Sequence, residues 1–218
     1  ARLRRHAPAL LLLLPDALAS APWLRDMLAL LGIAPDGVAW LADAPVACAR
    51  LAVTSRFPAE DVAPFAAVAA RALAALVPLA PPPAPAGLFY LRPAPAHAPE
   101  NADAVEATLA AHGFAVLDAE HTGLAEHTGL AVRIASLRGA AAVVAPQAPV
   151  LAELAFCPPG ASVLELVGPA DPRKLFWSLA SCAGLRYGYV VGEAAPGSGY
   201  VVPLDMLGHA VAMLKAAL

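Results

Sequence analysis

The sequence predicts an α/β protein whose larger part is a Rossmann-like lobe, a parallel sheet with helices on both faces. Three observations carry this. Short, continuously apolar runs recur, such as "AAVVA" (141–145) and "SVLELV" (162–167), the pattern of strands buried on both sides. Between them lie segments with apolar residues at helical spacing. Glycines stop those segments, at Gly32, Gly113 and Gly184.

The elements follow in order. Ala9–Leu14 is an apolar run ending at Pro15. With the preceding "RLRR" and the following "ALASA" it imitates a signal peptide, but the run is as short as the shortest such cores, and a buried strand is the favoured reading. Ala21–Leu31 is a helix, with Trp23, Met27, Leu30 and Leu31 at helical spacing. "GVAWLA" and "RLAVTS" are strand candidates, and Asp61–Leu76 is an alanine-rich helix. Prolines crowd "PLAPPPAPAG", Pro78–Gly87, and their fixed φ and missing N–H exclude regular structure. The stretch reads as a linker at 78–87 between a short N-terminal α/β lobe at 1–77 and a larger lobe at 88–218. In that lobe "LFYLR" (88–92) is a strand. Asn101 is the N-cap of a helix to His112, with Val105 and Leu109 inward. "FAVLD" is a strand, 130–137 a helix, 141–145 and 162–167 strands, 172–183 a helix, "YGYVV" a strand and 204–218 a helix.

Composition narrows the function classes. The chain has 218 residues, 60% hydrophobic and 14% charged, enough for a sizeable core and unlike a disordered chain. A net charge of −3 gives no footprint for nucleic acid. Three cysteines without a CxxC pair argue against a disulfide framework or a zinc knuckle and fit a cytoplasmic location. Cys157 and Cys182 read as buried apolar fillers. No run approaches the roughly 20 apolar residues of a membrane span. The first lobe strand lacks a GxGxxG turn, so no dinucleotide cofactor is indicated.

From Leu88 to Val191 the chain resembles the C-terminal lobe of family-61 glycosyltransferases, which include bacterial capsular-polysaccharide transferases. The resemblance rests on "FYLR", on "ENADAVEATLAAHGFAV", and on "LAVRIASLRGAAAVVAPQAPVLAELAFCPPGASVLELV". In the last stretch Leu130, Ala131, Ile134, Arg138, Phe156, Pro158, Pro159, Gly160, Val163, Glu165 and Leu166 fall in register with the family pattern. The resemblance implies a GT-B-like fold and inverting, metal-independent transfer of a sugar from a nucleotide sugar to a glycan or other hydroxyl acceptor. It implies no cofactor beyond the donor substrate, and it leaves room for peripheral membrane association. The oligomeric state is open.

On that basis Arg92, Gln147 and Glu165 are the candidate donor-binding residues. Arg92 ends a strand, where a guanidinium could hold two phosphate oxygens; the other reading is a surface arginine before Pro93. Glu165 interrupts an apolar strand, and a buried carboxylate is unfavourable unless paired. It either takes a hydrogen bond from the donor ribose or faces solvent at a strand end. Gln147 stands where the family has the histidine of His-Gly-Ala-Gly; it can hydrogen-bond but cannot titrate. Pro149 and Val150 replace the flexible residues that follow, His97 or Ala98 stands near the place of a second arginine, and Asn101–Ala102 replaces an Asn-Glu pair. The N-terminal lobe is short for a complete GT-B lobe, and the sequence starts without methionine, as a fragment or a reduced protein would. No catalytic base is indicated.

The tandem "AEHTGLAEHTGLA", Ala119–Ala131, is surplus to the family pattern. Solenoid units run to roughly 20–45 residues, so this is no repeat architecture. His121 and His127 are six apart, on different helical faces, with no third ligand nearby, so a loop duplication is expected rather than a metal site. Two function classes therefore stand: a sugar transferase with altered donor contacts, and a non-catalytic relative that binds a partner protein or a glycan.

Overall fold

The computed structural model describes residues 11–51, 86–118, 130–170, 175–196 and 199–218. The expected helix at 61–76, nearly all of the linker at 78–87 and the duplicated segment before Leu130 lie outside them, as does most of "RLAVTS".

The first unit is small. Strand β1 (Leu12–Pro15) pairs parallel with β2 (Val38–Leu41), Leu12 opposite Val38, and α1 (Pro22–Leu30) connects them. Pro22 opens α1 because the first helical N–H has no partner to lose. Beyond the helix Gly32 turns the chain at φ +66°, a conformation natural to glycine. Leu24, Leu28 and Ile33 form the buried cluster of this unit, against Leu12, Leu14 and Val38.

The second unit is a five-stranded sheet of β3 (Gly87–Arg92), β4 (Ala115–Asp118), β5 (Ala140–Pro146), β6 (Ser162–Val167) and β7 (Arg186–Val191). Its order is β4-β3-β5-β6-β7 and every pairing is parallel. In chain order this is the 2-1-3-4-5 arrangement of flavodoxin-like doubly wound folds. The connections are α2 (Ala102–Ala111), α3 (Leu130–Arg138), a 3-10 segment at Pro149–Phe156 and α4 (Leu175–Ala183). A short antiparallel pair, β8 (Glu193–Ala194) with β9 (Tyr200–Val201), leads into α5 (Leu204–Ala216).

Strand residues alternate between faces, and that alternation divides the core in two. Tyr90, Ala142, Val144, Leu164 and Leu166 pack under Val105 and Leu109 of α2 and Leu207 and Val211 of α5. Leu91, Val143, Ala145 and Val163 pack under Leu137 of α3, Leu151 and Leu154 of the 3-10 segment, and Phe176, Leu179 and Ala180 of α4. The first and last helices thus cover one face, and the connections between them cover the other.

Three local expectations change. Asn101 makes no capping hydrogen bond to α2. Its backbone, at φ −100° and ψ 35°, is not extended as N-caps usually are, and its amide reaches away from the helix. Cys182 is exposed whereas Cys157 is buried. Phe176, Leu179, Ala180 and Ala183 define the inward stripe of α4, and position 182 falls off it. The loop expected over Pro146–Leu151 is helical from Pro149 on: residues 149–156 wind into the 3-10 segment, because Pro149 suits a first turn and Val150, Leu151, Leu154 and Ala155 give it a buried side.

Candidate functional site

Strand order reverses between β3 and β5: the chain leaves β3 for β4 on one side and returns to β5 on the other. In open parallel sheets such a switch point opens a crevice at the carboxyl ends of the strands. Arg92 is the last residue of β3, Gln147 follows the end of β5, and Glu165 lies toward the end of β6 opposite Ala145.

The sheet brings together two of these three. Gln147 and Glu165 share the face of α3, the 3-10 segment and α4, since both alternate with the residues of the opposite core. The Gln147 N–H donates to Leu166 O at 2.8 Å, extending the β5–β6 ladder by one step. Its side chain hydrogen-bonds the Glu165 carboxylate. Tyr187, on β7, donates its hydroxyl to Glu165 Oε2. The other oxygen, Oε1, is buried and has no hydrogen-bond partner. Glu165 is 0% exposed. Burial pushes its carboxyl above the usual range, and the bonds from Tyr187 and Gln147 pull only partly the other way. The same burial, and the neighbouring carboxylate, push the Tyr187 phenol up.

Arg92 lies on the opposite face. Its Nε donates to Glu106 Oε1 at 2.7 Å, its Nη2 to Glu106 Oε2 at 2.5 Å, and its Nη1 to Asp118 Oδ1 at 2.5 Å. Asp118 is its register partner on β4, and Glu106 projects from α2. One cation therefore faces two carboxylates, which raises its already high pKa, chiefly through the Glu106 hydrogen bonds. Beside this cluster Tyr90 is 0% exposed with its hydroxyl unpartnered, and burial together with the Glu106 charge pushes that phenol up. Tyr200 donates to Leu166 O at 3.3 Å, and burial with the nearby Glu165 charge pushes its phenol up to about 12. His97 is exposed in a 3-10 turn at Pro95–His97.

Glu106, Asp118 and Tyr187 are the groups that sequence reasoning missed. A signal existed for one of them: "FYLR" and "FAVLD" end in opposite charges, and adjacent parallel strands of equal register place such ends side by side. Nothing local marks Tyr187, whose partner is 22 residues away on another strand. Among the described residues, no group of three His, Cys, Asp or Glu is placed to hold a metal ion. Among them, too, no helix is long and apolar enough to cross a membrane. No family model matches the chain, and no curated protein matches it significantly.

Chemically, the Glu165 cluster is an acceptor site. A buried carboxylate oxygen without a donor carries a desolvation penalty of about 1–3 kcal/mol or more. A ligand hydroxyl that reached it would remove that penalty.

Proposed function

We propose that the chain is a GT-B-type glycosyltransferase that binds a nucleoside diphosphate sugar at the carboxyl edge of its parallel sheet. The sugar passes to a glycan or other hydroxyl acceptor, on the cytoplasmic side, in bacterial surface-polysaccharide synthesis. One observation carries the reading: Glu165 is a buried carboxylate with an unpartnered oxygen, at the edge where an open parallel sheet takes its ligand. Ribose hydroxyls are the donors that this oxygen lacks, and Gln147 supplies a further hydrogen bond beside them. Arg92 is left out of the donor contacts, because it lies on the other face and already faces two carboxylates. Transition-state charge would fall to helix N-termini and other cations, as in metal-independent transfer.

A second reading is favoured by the same region. Gln147 cannot serve as acid or base, and Pro149 removes a backbone donor from the turn after β5. Both fit a non-catalytic relative that binds a glycan or a partner protein. Calorimetry with uridine, guanosine and cytidine diphosphates, alone and sugar-linked, separates the two when combined with an assay of nucleoside diphosphate release. Binding with release supports the transferase. The expected effect of Glu165→Gln is a loss of about threefold to tenfold in affinity. Binding without release supports the non-catalytic reading, and no binding at millimolar concentration removes the donor site altogether.

A further inference from the structure

Tyr187 and Gln147 both hydrogen-bond the Glu165 carboxylate, yet one of its oxygens lacks a donor. Tyr187 Oη donates to Oε2 while Oε1 has no partner, and the residue is sealed from solvent. A ribose diol engages a carboxylate through both oxygens, one hydroxyl to each. The tyrosine hydroxyl therefore stands where one sugar hydroxyl would stand.

Tyr187 is also placed to leave. It comes from β7, the outermost described strand of the sheet, and it is half-buried. Its ring lies against Tyr189 at a centroid distance of 6.4 Å, tilted by 36°, and Tyr189 is 64% exposed. Rotation toward that side would carry the phenol toward solvent, giving up the ring's packing at the margin of the cluster that holds Leu91, Val143 and Val163. Gln147, at the end of β5, remains beside the carboxylate in either position.

We propose that Tyr187 is a built-in stand-in for the ligand: its hydroxyl occupies Glu165 in the free protein and is displaced by the ribose diol of a nucleotide. The proposal rests on the donor-site reading above. Its consequence is quantitative. A ligand that binds only the open form sees its affinity reduced by the fraction of molecules that are open. Removing the hydroxyl removes that competition, so a substitution at the site improves binding. A merely structural tyrosine behaves in the opposite way, since its loss weakens both fold and site.

The test is calorimetry with uridine, guanosine and cytidine diphosphates and their 2′,3′-dideoxy counterparts, on the parent protein, Tyr187→Phe and Tyr187→Leu. The leucine variant guards against a fault peculiar to phenylalanine. The expected result is ribonucleotide binding at least about fivefold tighter in both variants, with dideoxynucleotide binding unchanged and a lower melting temperature without ligand. Ribonucleotide affinity that stays level or falls in a folded variant overturns the proposal and leaves the donor site standing. Equal tightening for the dideoxynucleotides also overturns it, because the diol would then have no part. Binding by none of the three proteins overturns the proposal and the donor reading together.

Discussion

Glu165 sets the terms at the residue scale. Its carboxyl is pushed above its ordinary value near 4.5, first by burial, against the opposing hydrogen bonds of Tyr187 and Gln147. The folded protein thus holds this proton more tightly than the unfolded chain does. Stability from this group is fully present below the unfolded value and is lost as pH rises through the folded one. Glu165→Gln removes the dependence and keeps an acceptor for Tyr187. The variant should be more stable than the parent at neutral pH by about 1–3 kcal/mol, since a buried charge is replaced by a neutral isostere. That advantage should shrink as pH falls toward about 4. Urea midpoints of both proteins across this range measure it, and parallel curves would show that the group titrates alike in both states. Weaker nucleotide binding by the more stable variant would be the usual exchange between stability and a functional site.

At the scale of elements, Asn101 joins parts of the chain that the sequence keeps far apart. Its Nδ2 donates to Val202 O at 2.9 Å, and its Oδ1 accepts from Val202 N at 3.0 Å. Glu100 N adds a bond to Tyr200 O at 2.9 Å. The start of α2 is thereby clamped to the segment that leads from β9 into α5. Asn101→Ala should lower stability by about 1–3 kcal/mol, because it strands the buried polar groups of Val202. Asp and Ser cap helices as well as Asn does but cannot both donate and accept toward one peptide in this geometry. Neither Asn101→Asp nor Asn101→Ser should therefore restore the loss in thermal unfolding. Full rescue by either would return the residue to the capping role.

For the whole molecule the layered cores predict an order of opening. Strands β5 and β6 lie inside the sheet and are covered on both faces. The β1–β2 pair has no described strand beyond either edge, and its cluster is small. Amide exchange should be slowest in 140–146 and 162–167 and faster at 12–15 and 38–41, because local opening follows the burial each segment would lose. Mass-spectrometric exchange at neutral pH measures this. Equal protection of the two groups would mean that the small unit and the large sheet open as one.

The sequence by itself determined the larger part of the fold. Apolar runs named β3, β5 and β6, helical spacing named α1 and α2, and Gly113 and Gly184, at φ +86° and +73°, ended the helices that they were expected to end. These features are local, and a few consecutive side chains suffice to encode them. Glu165 stood out for the same reason, as one charge in an apolar strand. Tertiary structure alone decided what surrounds each charge. Strand order and register put Arg92 beside Asp118 and Glu106 on one face, and Glu165 beside Gln147 and Tyr187 on the other. A reversal of strand order and a two-residue alternation fix those neighbours, and neither the partner strand nor its register is written in the residues that it joins.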